Sequence, residues 1–154
     1  MIITHPPLAP PDRRMFRGTL AWASNFAPVQ VTLDDLIYPS VEHAYQAAKT
    51  DNPRLRMVIA NAGTASDARH LGRRLTPALD WDERRDMVML DLLKQKFNTP
   101  KYMALLLATG DEELVEWNTW RDRYWGKDIH TGEGQNTLGR MLMYIRSQLQ
   151  AGKE

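Results

Sequence analysis

The chain has 154 residues, 43% of them hydrophobic and 25% charged, and carries a formal net charge of +1. That length buries a real core in one domain, while interleaved charges of both signs exclude a broad nucleic-acid footprint or a polybasic membrane patch and suit a small ligand or one modified nucleotide better than a long duplex. There is no cysteine, which excludes disulfides, thiol chemistry and Cys-type zinc sites.

Residues 1–14 hold four of the nine prolines and two arginines, and predict an extended arm in front of a single domain over 15–151. The opening Met-Ile-Ile-Thr-His-Pro-Pro is too short and too interrupted for a signal peptide. No apolar run reaches membrane-spanning length, so a cytoplasmic protein with no membrane partner is expected. Val29-Gln-Val-Thr-Leu33 alternates apolar and polar residues like a half-buried strand, and Asp34-Asp35 followed by Leu36-Ile-Tyr38 completes an antiparallel hairpin.

From Ser40 to about Gly110 the pattern is helical. Ser40 is an N-cap, and Thr64 with Asp67 resembles a capping box before Ala68–Arg74. Asp82 caps a long helix to Phe97 with the stripe Val88, Met89, Leu92, Leu93 and Phe97. Thr99-Pro100 opens another helix that Gly110 ends. A last helix, Thr137–Gln150, places Leu138, Met141, Leu142, Ile145 and Leu149 on one face. Leu114–Trp117 reads as a short strand in the irregular stretch between the two C-terminal helices. The fold class expected is mainly α (α+β), with a small antiparallel β element.

Three constellations carry chemistry. Glu42, Gln46 and Lys49 fall at i, i+4 and i+7 after Ser40, so a carboxylate, an amide and an ammonium share one helix face. The helix dipole favours the ionised Glu42, a base or nucleophile rather than a proton donor; the plainer alternative is that Glu42 only steadies the helix end. His43 points about 100° away and reads as structural. His5, His70 and His130 are scattered, so neither metal nor other cofactor is expected.

The second constellation is Asp122 among Trp117, Trp120 and Trp125, either a core corner or a stacking platform with a carboxylate beside it. Two carboxylates from separate segments are the usual equipment for cleaving a glycosidic bond. The third, Gly132-Glu-Gly134-Gln-Asn136, is a glycine-bearing loop entering a helix. It lacks the spacing of a dinucleotide fingerprint, and Asn136 can simply be a cap.

Assembled in order, these segments resemble the YbiA-like, or NADAR (NAD and ADP-ribose), family. The resemblance rests on Ser24-Asn25-Phe26, Tyr38 to Ala47 with Lys49, Leu71-Gly72-Arg73, Trp81 with Arg85, Lys96-Phe97 and Leu114-Val115-Glu116. It continues through Asn118-Thr-Trp120, Asp122 to Gly126, Gly134, Asn136, Leu138-Gly139 and Leu142-Met143.

The resemblance implies a compact helical fold and hydrolysis of an N-glycosidic bond to a ribose phosphate. The substrate would be an aminouracil ribotide of riboflavin synthesis, or an ADP-ribosyl group on guanine, including a single modified base in nucleic acid. By the same resemblance Glu42 and Asp122 are the catalytic carboxylates and Lys49 holds phosphate or stabilises charge. Asn25 binds ribose, and Trp120, Trp125 and Tyr45 frame the base; Phe26, Gln46, Gly126 and Asn136 complete the substrate-binding set. Arg121 stands where many relatives have glycine, and Lys127–Thr131 departs from their glycine-rich versions. Two other readings use the same residues: a module that binds ADP-ribose or a related nucleotide without hydrolysis, and an interaction protein whose aromatic segment is an interface.

Overall fold

A computed structural model of the chain describes residues 12–152, so most of the predicted arm over 1–14 lies outside the described residues. A 3-10 helix over Gly18–Ala23 leads into β1 (Pro28–Leu33) and β2 (Leu36–Ser40), followed by α1 (Val41–Ala47), α2 (Pro53–Ala60), α3 (Ala65–Arg73), α4 (Trp81–Phe97) and α5 (Pro100–Leu107). Two short strands, β3 (Trp117–Asn118) and β4 (Lys127–Asp128), precede α6 (Thr137–Ala151). Mainly helical architecture with a small antiparallel hairpin is the observed class. Among the described residues no helix is long and apolar enough to cross a membrane.

The hairpin pairs Leu33 with Leu36 and Val31 with Tyr38. Asp34 and Asp35 turn it with φ of +48° and +66°, the two left-handed residues a tight hairpin requires and that aspartate tolerates better than most side chains. Tyr38 and Val31 are sealed in the core, and β2 runs straight into α1 through Ser40. The Ser40 hydroxyl accepts the His43 amide at 3.1 Å and pairs with His43 Nδ1 at 2.6 Å, while Nε2 reaches the Ala62 carbonyl at 3.0 Å. His43 is thereby the fully partnered structural histidine its position suggests.

The core gathers around α4, whose Met89, Leu92, Leu93 and Phe97 are buried against Leu106 of α5 and Leu138, Leu142 and Ile145 of α6. Two local expectations need correction. Asp82 is not the cap of α4: the helix already starts at Trp81, and Asp80 precedes it. Asp80 spends its carboxylate on Arg84 Nε at 3.0 Å rather than on a backbone amide. The expected strand over Leu114–Trp117 shrinks to Trp117–Asn118, paired in parallel with Lys127–Asp128, because Leu114 and Val115 are buried without ladder partners.

Candidate active site

One cleft of about 940 Å³ opens where α1, α3, the segment before β1 and the loop around β3 meet. Glu42, Tyr45, Gln46 and Lys49 line it from α1 and the turn after it, and Arg69 and Arg73 line it from α3. Opposite stand Glu116, Trp117, Trp120, Asp122 and Trp125; Asn25, Phe26 and Met89 line a further wall. Of the residues expected to form a site, Glu42, Asp122, Asn25, Phe26, Tyr45, Gln46, Lys49, Trp120 and Trp125 are thus brought to one cavity.

Two are not. Asn136 is buried, and its side chain is consumed by backbone: Oδ1 accepts the Glu116 amide at 3.0 Å and Nδ2 donates to the Leu114 carbonyl at 2.9 Å. Nor does Asn136 cap α6 through its side chain. Gly126 sits where a Cβ would fall 2.1 Å from the Glu116 carbonyl oxygen, so glycine is needed there to let the two chain segments touch. Both residues build the loop wall from behind and leave the cavity to others.

On the helical side, Gln46 Nε2 donates to Glu42 Oε1 at 2.8 Å. Gln46 lies so close to α3 that a Cβ on Gly72 would fall 1.9 Å from its Oε1. Burial raises the Glu42 pKa, opposed by Gln46 and by the charges of Arg69, Lys49 and His43. Desolvation therefore overrides the preference for ionisation that the helix dipole alone predicts. Burial likewise lowers Lys49, which feels Arg73 and Arg69 as like charges and Glu42 as an opposing one. Lys49, Arg69 and Arg73 take part in none of the ion pairs formed among the described residues. They leave a concentration of positive charge free for an anionic group.

On the loop side, Asp122 Oδ1 accepts the Tyr124 amide at 3.1 Å and the Trp125 amide at 2.9 Å. Asn118 clamps the Asp122 backbone from both ends, with Oδ1 accepting its amide at 3.0 Å and Nδ2 donating to its carbonyl at 2.8 Å. Tyr45 packs edge-on against Trp125 at 5.7 Å and beside Trp81 at 5.2 Å. The Arg69 guanidinium lies 5.8 Å from the Trp120 ring. Trp120 and Phe26 are each 41% exposed, so two aromatic side chains stand partly open at the mouth.

Glu116 is the acid that spacing did not single out. The residue as a whole is only partly covered, yet its Oε2 is fully buried and has no hydrogen-bond partner among the described residues. Burial, with the negative charges of Asp122 and Glu42 beside it, pushes its pKa up to about 8 against the pull of Arg69. Gln46 Oε1 and Asn25 Oδ1, also on the cleft, are buried without partners among the described residues. Unmet polar atoms in a roomy cavity are what an incoming hydroxyl or amine satisfies. Among the described residues no group of three or more His, Asp or Glu side chains is placed to hold a metal ion.

A family model described as the NADAR domain matches residues 15–150. The chain belongs to the NADAR family. It is 37% identical over 129 residues to N-glycosidase YbiA of Escherichia coli, covering 82% of this chain and 79% of that protein. It is 41% identical over 131 residues to a riboflavin biosynthesis protein of Vibrio vulnificus, again covering 82% of this chain but only 35% of the longer relative. An NMR structure of the E. coli protein YbiA superposes with a TM-score of 0.79 at 33% identity, covering 92% of this chain and 84% of that one.

Within this NADAR domain, Glu116, Arg69 and Arg73 are among the cleft residues to which the sequence pattern assigns no role. Arg69 and Arg73 do stand at i and i+4 on α3, a spacing that places both on one face. Arg121, noted as unusual for the family, has a φ of +65°; this is the left-handed region, where glycine sits without strain.

Proposed function

We propose that this NADAR domain, over residues 15–151, is an N-glycosidase that hydrolyses the bond between C1 of a phosphorylated ribose and a base or amine nitrogen. The observation that carries this reading is the polarity of this cleft. Three carboxylates (Glu42, Glu116 and Asp122) line it together with cations, among them Lys49, Arg69 and Arg73, which form no ion pair among the described residues. Cleavage leaves positive charge on C1, which carboxylates stabilise, while the phosphate of the same sugar is held by the cations. Trp125, Tyr45 and the exposed Trp120 supply faces for the leaving base. The names of the relatives, N-glycosidase and riboflavin biosynthesis protein, support the same reaction class.

In this mechanism Glu42, buried and therefore more basic than a free carboxylate, orients the attacking water and takes its proton. Asp122 lies close to the developing charge with one oxygen fixed by its own turn. Gln46 steers Glu42 and offers its free Oε1 to a ribose hydroxyl, as does Asn25. The substrate proposed is an aminouracil ribotide of riboflavin synthesis, with ADP-ribosyl guanine in nucleic acid as the larger alternative.

Incubation of the purified protein with the aminouracil ribotide, with ADP-ribosyl-guanine DNA and with NAD, followed by identification of the released base, tests the reading directly. Release of ribose 5-phosphate or ADP-ribose, lost by at least about 10³-fold in Glu42→Gln with the fold intact, is expected. Tight ADP-ribose binding in calorimetry without release of any base would make the domain a sensor instead.

A further inference from the structure

We propose that Glu116 is the proton donor to the leaving nitrogen. The inference rests on the glycosidase reading and assigns the step which that reading leaves open.

The three acids differ in what their oxygens already do. Asp122 Oδ1 accepts two backbone amides. Glu42 is also buried, which raises its pKa, but its Oε1 accepts the Gln46 amide, and Arg69 and Lys49 oppose the rise. Glu116 differs: its Oε2 is buried without a hydrogen-bond partner among the described residues, and beyond burial the charges acting on the carboxyl are the carboxylates of Asp122 and Glu42, against Arg69. Burial disfavours the anion of both Glu42 and Glu116, and between two buried carboxyls the proton is favoured on the one with fewer donors and more negative neighbours.

Glu116 is also held in place. Its amide is tied to the Asn136 side chain at 3.0 Å, and its carbonyl accepts the Lys127 amide at 2.9 Å. Glu116 thus lines the cleft from a fixed backbone. Across the cavity the buried Gln46 Oε1 is likewise unpartnered, which marks the space between as one a ligand's donors fill.

The C1–N bond breaks with its electron pair going to nitrogen, and the Glu116 carboxyl proton goes to that nitrogen. Water adds its oxygen to C1, and its proton passes to Glu42. Transfer of that proton from Glu42 through solvent to Glu116 restores the starting state, so one water is consumed and no other reactant is needed.

The test compares leaving groups. An aminopyrimidine ribotide needs protonation to depart, whereas 4-nitrophenyl ribofuranoside 5-phosphate releases a stable phenolate without it. For Glu116→Gln the expected result is a kcat lowered at least about 100-fold on the nitrogen-linked substrate but less than about threefold on the nitrophenyl one. The wild-type rate on the nitrogen-linked substrate should also fall as pH rises through about 8, a limb absent for the nitrophenyl substrate; this profile tests the proposal even without a folded variant. Equal loss on both substrates, no loss on either, or an alkaline limb of the same shape for both overturns the assignment while leaving the glycosidase reading standing. Failure of the wild-type protein to cleave either substrate, in a sample that binds ribose 5-phosphate, overturns that reading and this one with it.

Discussion

Glu42 and Glu116 face the same cleft from segments that keep their shape by opposite means. Glu42 stands on α1, whose backbone satisfies itself and whose one exceptional contact is the approach of Gln46 to α3 at Gly72. Glu116 stands on a stretch, residues 113–136, with only two residues in each of its strands. There the backbone is held by the side chains of Asn118, Asp122 and Asn136. A helix places a functional group through local rules and tolerates a change beside it. A loop of this kind places one through a few buried amides, and each of them is hard to replace.

The largest effect that separates the two walls is therefore expected at Asn118. It is fully buried, and both its amide atoms are spent on Asp122. Asn118→Ala strips two bonds and leaves backbone groups unmet, a cost of about 2–4 kcal/mol in urea unfolding. Because Asp122 comes loose from the cleft, turnover should fall about 100-fold as well. An unfolding midpoint and rate close to wild type would show that the loop wall is held by packing instead.

The matching attack on the helical wall is Gly72→Ala. The new methyl would lie 1.9 Å from Gln46 Oε1 and 2.7 Å from its Cβ, so Gln46 must move from the root, not only at its tip. Overpacking of this kind costs about 1–3 kcal/mol. Glu42 also loses the donor that favours its anion, so the acidic limb of the pH–rate profile should move to higher pH. A variant that changes stability but not that limb would detach Gln46 from the chemistry.

The same contrast explains how much of the molecule its sequence discloses. The hairpin at Asp34-Asp35, the cap at Ser40 and the apolar stripes of α4 and α6 rest on neighbours within a few residues, and each is found where the residue pattern puts it. Asn136 reads equally well as a cap or a ligand, because nothing nearby in the chain says that Leu114 and Glu116 will come to it. Glu116 follows two buried aliphatics and carries no local mark; only the folded environment, with two other acids, makes it exceptional. Arg69 and Arg73 have the spacing of any solvated helix face. The Glu42 dipole argument is sound as far as it goes and loses to burial, a property of the whole fold.

A smaller effect is expected behind the segment before β1, which is held by a charge rather than an amide. Lys96 is fully buried on α4, donates to the Ser24 carbonyl at 2.8 Å and lies near the Phe97 and Tyr102 rings. Burial lowers its pKa to about 7 from 10.5. Between those values the unfolded chain holds a proton that the folded one has released, so the stability contributed by Lys96 rises with pH across that window and is lost as pH falls through about 7. Lys96→Met removes the titration and the bond together, for a net gain of about 1–2 kcal/mol at pH 6. That gain should shrink by about 2–3 kcal/mol, and so disappear or reverse, by pH 9. A pH-independent difference in melting would mean that the ammonium is satisfied by more than Ser24.

The smallest change sharpens the comparison at the one place where the loop wall carries backbone strain next to its acid. Arg121 is exposed, precedes Asp122 and holds a φ of +65°, a conformation that costs an L-residue about 1–2 kcal/mol. Glycine removes that cost but loses about 0.5–1 kcal/mol more chain entropy on folding, so Arg121→Gly should stabilise by about 0.5–1 kcal/mol, or roughly 2 °C in Tm. Neither walls nor acids move in this variant, and kcat on a ribosyl phosphate should stay within about twofold of wild type. A large loss of turnover with the expected rise in Tm would instead place the Arg121 guanidinium on the substrate, at the mouth of the cleft beside Trp120, as a contact that a glycine-bearing relative does without.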